Sequence, residues 1–126
     1  MKTTITILRV GQPAEEREVE FKERDRSKLA PGDDGPGYDQ LRQLIEPLLD
    51  GEPLEHVGVL WEGKRRDMFV SELGHVTLEA RGPLPRNEEA TAIYRANWLR
   101  GHPETDPESL AFIAGTAILF DERVWF

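Results

Sequence analysis

The stretch "EHVGVLWEGKRRDMFVSE", Glu55 to Glu72, decides the fold class. Its flanks, EHVGVLW and DMFVSE, are short and rich in β-branched and aromatic residues, and the polar tip EGKRR separates them. That is the pattern of two strands joined by a turn. A third run, HVTLEA (His75–Ala80), follows the tight Leu73–Gly74 step and predicts a three-stranded meander.

Upstream, TTITILRV (Thr3–Val10) alternates and is rich in threonine and isoleucine. REVEFK (Arg17–Lys22) alternates again, with Val19 and Phe21 on one side. Gly11 and Pro13 between them supply a turn, so an N-terminal hairpin is expected. Leu41, Leu44, Ile45 and Leu48 then recur at helical spacing after Asp39, a favoured capping residue. Pro47 lacks the N–H that would bond residue 43, so this helix should kink or restart near Glu46.

Between hairpin and helix, residues 27–38 read as a flexible loop. Its glycines do not form a phosphate cradle, because Asp33 and Asp34 would repel the anion and no lysine follows at P-loop spacing. Asp33, Asp34 and Asp39 also lack the alternation and closing glutamate of a calcium-binding EF-hand loop.

Downstream, Gly82, Pro83 and Pro85 stop the meander. Asn87 is a favoured N-cap, and Glu88 and Glu89 suit the positive end of a helix dipole. Gly101 and Pro103 end the element, giving a helix over residues 87–100. Ala90, Ile93, Tyr94 and Trp98 lie along one face, Asn97 falls within that stripe, and Ala92, Ala96 and Leu99 widen it. Asp106 and Pro107 start a short turn, TAILF (Thr116–Phe120) is a strand, and VWF is a last strand or a docked aromatic tail. The order predicts one α+β domain over residues 1–126: a mostly antiparallel sheet of about five to seven short strands, with two main helices on one face. The ββαβ start is compatible with a grasp-like topology.

Composition narrows the function. The chain has 126 residues, no cysteine, three tryptophans and a net charge of −8. Thiolate metal sites, disulfides and a cysteine nucleophile are excluded. Residues 1–50 carry 8 basic against 11 acidic groups and residues 51–126 carry 8 against 13, so both halves are acidic. Phosphate contacts need clustered Lys and Arg, which makes nucleic acid a poor partner. No segment reaches the roughly 18–20 apolar residues of a membrane span, and MKTTITILRV lacks the layout of a signal peptide. A soluble cytoplasmic protein is expected.

Candidate site residues fall in three groups. Lys64, Arg65 and Arg66 are the one basic cluster and could grip an anion or an acidic partner. Tyr94, Arg95, Asn97 and Trp98 combine aromatic and polar groups on the second helix. An unpaired amide on an apolar helix face costs about 1–3 kcal/mol, so Asn97 must bond a backbone edge, a side chain or a ligand. His102, Glu104 and Asp106 are metal-ligand candidates, although the prolines of HPETDP keep them extended. His56, His75 and His102 form no pair at metal-ligand spacing, and the serines lack a nucleophile elbow, so no catalytic residue and no cofactor is assigned.

The order of LRQLIEPLLDG, WEGK, PLPRNEEAT and FIAGTAILF resembles a small bacterial and phage family, domain of unknown function 3846. The matching residues are Glu62, Gly63 and Lys64; Pro85 and Asn87; and Ile113, Gly115 and Thr116, within residues 38–120. Trp61 stands where the family commonly has Asn, Pro47 replaces a glycine-like break, and residues 66–82 read as inserted strands. The resemblance implies a phage, prophage or plasmid setting and brings no catalytic residues. The expected function is a small acidic interaction or accessory protein that binds another protein. The alternatives are an acidic inhibitor that mimics nucleic acid and a small metal-dependent enzyme using residues 102–106.

Overall fold

A computed structural model describes residues 1–33, 35–78 and 81–125. Five strands form one antiparallel sheet: β1 (Lys2–Leu8), β2 (Glu15–Glu20), β3 (Leu54–Trp61), β4 (Lys64–Ser71) and β5 (Ala117–Phe120), in the order β2-β1-β5-β4-β3. Two helices complete it, α1 (Tyr38–Leu48) and α2 (Glu88–Gly101). This is the expected α+β domain, with the strand number at the low end of the expected range.

The short strand β5 joins the two hairpins. It pairs with β1 on one side and β4 on the other, and all four of its residues are buried. A strand in that position is apolar on both faces, which is why AILF does not alternate. Ile118 and Phe120 point to one face with Phe69, Ile5 and Ile7, while Ala117 and Leu119 point to the other with Met68, Val70 and Leu8. Both faces therefore need cover. Leu41, Ile45 and Leu49 of α1 and its end close the first, and Ala90 and Ile93 of α2 close the second. The expectation of two helices on one face is corrected: they lie on opposite faces, because β4 and β5 are apolar on both sides. β1 also runs antiparallel to β5, and every pairing in the sheet is antiparallel, which is not a grasp-like arrangement.

Other local expectations shift for identifiable reasons. The β3–β4 tip is only Glu62–Gly63, both at positive φ (53° and 81°), as a two-residue type I′ hairpin turn requires. Lys64, Arg65 and Arg66 consequently belong to β4. Among the described residues the third strand of the meander does not form. Residues 72–77 are turns and irregular chain, and Leu78 and Arg81 bond each other's backbone as an isolated bridge; positions 79–80 lie outside the described residues. Arg81 holds this region by donating to the carbonyls of Leu73, Val76 and Gly82 and by pairing with Glu52. The strand-like pattern loses to these local contacts.

Asp39 is not the α1 cap. The cap is Gly37 at φ 90°, two residues earlier, so the helix starts at Tyr38 and Asp39 lies in the first turn. Pro47 sits in the last turn, and the helix ends one residue later without restarting. In α2, Asn87 is the N-cap as expected. Gly101 stays helical, and His102 is the C-cap. Ala92, Ala96 and Trp98 are exposed, so the buried stripe of α2 is narrower than its composition suggests.

Candidate functional site

Asp67 and His56 were missed by the sequence reading. Asp67 is 3 % exposed, yet every contact of its carboxylate is to a donor. His56 Nε2–H donates to one oxygen at 2.7 Å, and the Val124 and Trp125 amides donate to the other at 2.6 and 2.7 Å. Because a carboxylate can only accept, the ring carries a hydrogen on Nε2. The ring stacks on Trp125 with centroids 5.1 Å apart and leans on Phe69. Asp67 thus fastens the segment after β5 across the α1 face, where Val124 joins the core and Trp125 packs against Tyr38. VWF is a docked tail up to Trp125; residue 126 lies outside the described residues. The two-residue turn sets the register that puts His56 opposite Phe69 and Gly58 opposite Asp67, leaving His56 and Asp67 diagonal on one face. An aspartate inside DMFV, with that turn, was the available signal.

On the other face Asn87, 2 % exposed, accepts from the Ala90 amide and donates to the carbonyls of Leu8 and Gly115. Its own amide donates to Ile113 O, and the Gly115 amide donates to Pro85 O. Pro85, Asn87, Ile113 and Gly115, singled out by motif, therefore meet as one clasp between the start of α2 and the sheet. Gly115 has φ +82°, and a Cβ there would come within 2.6 Å of Leu84 Cδ1, so the clasp requires glycine.

The predicted site residues converge only in part: Arg65, Arg66 and Asn97 line one open groove along β3 and β4. Strand alternation divides the basic cluster: Lys64 pairs with Asp121 at 3.2 Å, and Arg66, 8 % exposed, donates to Phe120 O and pairs with Glu62. Arg65 points to the opposite face, beside His56, Arg123 and Trp125 in an open groove of about 510 Å³. Arg95 donates to Leu110 O and pairs with Glu108, on a different side of α2 from Asn97. Tyr94 packs against the core, and Trp98 stacks on His102 with centroids 4.2 Å apart. His102 Nδ1 bonds Trp98 O, and Asp106 accepts from the Glu108 amide as a cap. Among the described residues, no group of three or more His, Cys, Asp or Glu is placed to hold a metal ion.

Asn97 resolves into an edge contact. β3 is the outer strand on one side of the sheet, and its Gly58 and Leu60 backbone groups point outward. Asn97 Oδ1 accepts from the Leu60 amide at 2.8 Å, and Nδ2 donates to Gly58 O at 3.4 Å. The amide stands in for a neighbouring strand. Gln40 of α1 does the same beyond β2: it accepts from the Lys22 amide at 2.8 Å and donates to Lys22 O at 2.9 Å.

Between that plug and the first turn, β2 has no edge partner among the described residues. Met1 and Phe21 form a bonded backbone pair, so Thr3–Val19, Ile5–Arg17 and Ile7–Glu15 are bonded pairs too. The backbone groups of Glu16, Glu18 and Glu20 therefore point away from β1. Their side chains share the face where Thr4 and Thr6 are half-exposed. Glu15 stands apart, because hydrogen bonds from Arg9 and then Arg17 hold its carboxyl below the usual range. The one carboxylate is shared by Arg9 and Arg17, so this three-residue cluster keeps one net positive charge. No family model, curated protein or solved structure matches the chain in the comparisons with known proteins.

Proposed function

We propose that this chain is a small interaction or accessory protein that binds another protein through the open edge of its sheet. The observation that carries the reading is the contrast in the use of polar groups. Asp67, Asn87, Arg66, Arg81 and Asn97 are all engaged in holding the fold, whereas the backbone groups of Glu16, Glu18 and Glu20 have no partner among the described residues. An unpaired edge is a template for another chain. The absence of cysteine suits a cytoplasmic setting, and no helix among the described residues is long and apolar enough to cross a membrane. The resemblance across residues 38–120 supports a phage, prophage or plasmid context.

The test is capture of a partner from a host that carries the gene, followed by reconstitution from the two purified proteins. A defined stoichiometric complex by light scattering is the expected result. Failure to reconstitute any captured candidate overturns the reading. The nucleic-acid-mimic alternative has the Glu16, Glu18 and Glu20 row in its favour; it requires the reconstituted partner to be a nucleic-acid-binding protein displaced by DNA or RNA.

A further inference from the structure

We propose that residues 16–20 of β2 receive a basic, extended segment of the partner as a sixth strand. This rests on the protein-binding reading and names the partner's chemistry. The unpaired backbone groups make the site, and the carboxylates select the occupant.

Three outward-facing residues, Glu16, Glu18 and Glu20, span about 14 Å at the usual rise per residue. The window has defined ends. Gln40 occupies the next outward backbone groups at Lys22, and Glu15 at the other end is tied to Arg9 and Arg17. The opposite edge of the sheet differs, because Asn97 already fills Gly58 and Leu60, leaving only Leu54 and His56 outside the plug among the outward residues of β3.

The face decides which partner side chains meet which residues. Glu16, Glu18 and Glu20 lie opposite Thr6, Thr4 and Lys2 on the face that carries α2. None of the three carboxylates has an ion-pair partner among the described residues. Alternate residues of an added strand would stand beside them, and Lys or Arg there meets opposite charge at cross-strand distance. The intervening residues would stand on the other face beside half-buried Val19, where a β-branched side chain fits. A second copy of this chain is a poor occupant, because pairing β2 with β2 sets rows of glutamates against each other. Like charges opposite one another destabilise a sheet, so the row rejects self-pairing while accepting a basic strand.

The probe is a fluorescent ten-residue peptide alternating Lys with Val and Thr. Its control has the same composition with the lysines contiguous. Hydrogen exchange is read at individual amides. The alternating peptide should slow exchange at Glu16, Glu18 and Glu20 and leave the amides of the β1–β2 ladder unchanged. Its affinity should fall steeply with added salt. Glu18→Gln should weaken binding about two- to fivefold, as loss of an exposed ion pair does. Glu18→Pro removes an outward N–H and leaves the bonded pairs with β1 in place, so it should weaken binding about tenfold.

No binding by the alternating peptide, or protection elsewhere, overturns the proposal. Equal binding by the contiguous-lysine control, or loss of binding in Glu18→Gln with none in Glu18→Pro, leaves electrostatic attraction without strand addition and also overturns it. A reconstituted partner that binds Glu18→Pro as well as the unaltered chain sinks this inference while the protein-binding reading stands; absence of any reconstituted partner sinks that reading instead.

Discussion

On the α1 face of the sheet a buried carboxylate, Asp67, anchors the chain; on the α2 face a buried amide, Asn87, does so. Asp67 faces three donors, from His56, Val124 and Trp125. Asn87 faces two carbonyls, from Leu8 and Gly115, and one amide, from Ala90. Each side chain is matched to what the backbone around it leaves unpaired. A carboxylate can only accept, so it suits an incoming segment that presents N–H groups. An amide donates and accepts, so it can cap a helix and hold two strand-end carbonyls at once. The comparison explains why two residues of nearly equal shape are not interchangeable between the faces.

The largest effect should come from emptying the α1-face anchor. Asp67→Ala leaves two backbone amides and the His56 Nε2–H without their acceptor, and unmade buried hydrogen bonds put the cost at about 3–5 kcal/mol. Asp67→Asn should cost much less. Its oxygen can still accept from Val124 and Trp125, and its NH₂ can donate to His56 Nε2 once the imidazole hydrogen moves to Nδ1. Urea unfolding of the two variants measures the gap, and Trp125 fluorescence shows whether the tail has lifted. Equal losses in both variants would show that the charge, not the pattern of acceptors, holds the tail.

The second effect reverses the substitution. Asn87→Ala removes the helix cap and the two donors to Leu8 and Gly115, and should cost about 2–4 kcal/mol. Asn87→Asp keeps a cap acceptor but turns an oxygen toward two carbonyl oxygens in a buried place, so it should be no better than Ala. Acid-for-amide is thus damaging here, whereas amide-for-acid is mild at Asp67. Thermal and urea unfolding of all four variants form one test, and an Asn87→Asp protein as stable as the unaltered chain would break the comparison.

Both anchors bear on what could be read in the sequence. Asn87 was legible because capping is local: its acceptor role concerns Ala90, three residues on. The strands of both hairpins and the span of α2 were legible for the same reason. Asp67 was not, since the amides it binds lie 57 and 58 residues away and reach it only once β5 has paired with β4. The side of the sheet taken by each helix was hidden too, because it depends on β5 filling the middle of the sheet. At the candidate site, the charges of EEREVE were visible as a mixed run; their separation into a free row and a paired Glu15–Arg17 required the strand alternation and the Arg9 contact.

Asn97 lies outside both buried anchors and should show the smallest effect. It closes the β3 edge with one short bond to the Leu60 amide and one long bond to Gly58 O. Asn97→Ala removes both at a half-exposed position, where water can replace part of what is lost, so the cost should be about 1 kcal/mol. The more telling consequence concerns the edge. With Gly58 and Leu60 unpaired, β3 gains the kind of exposed backbone that β2 has, but without a row of like charges to reject self-pairing. The variant should therefore show concentration-dependent association by light scattering, while peptide protection at Glu16, Glu18 and Glu20 stays unchanged. A fully stable, monomeric Asn97→Ala that lost partner binding would instead move the binding surface to α2, and the two edges would have to exchange roles.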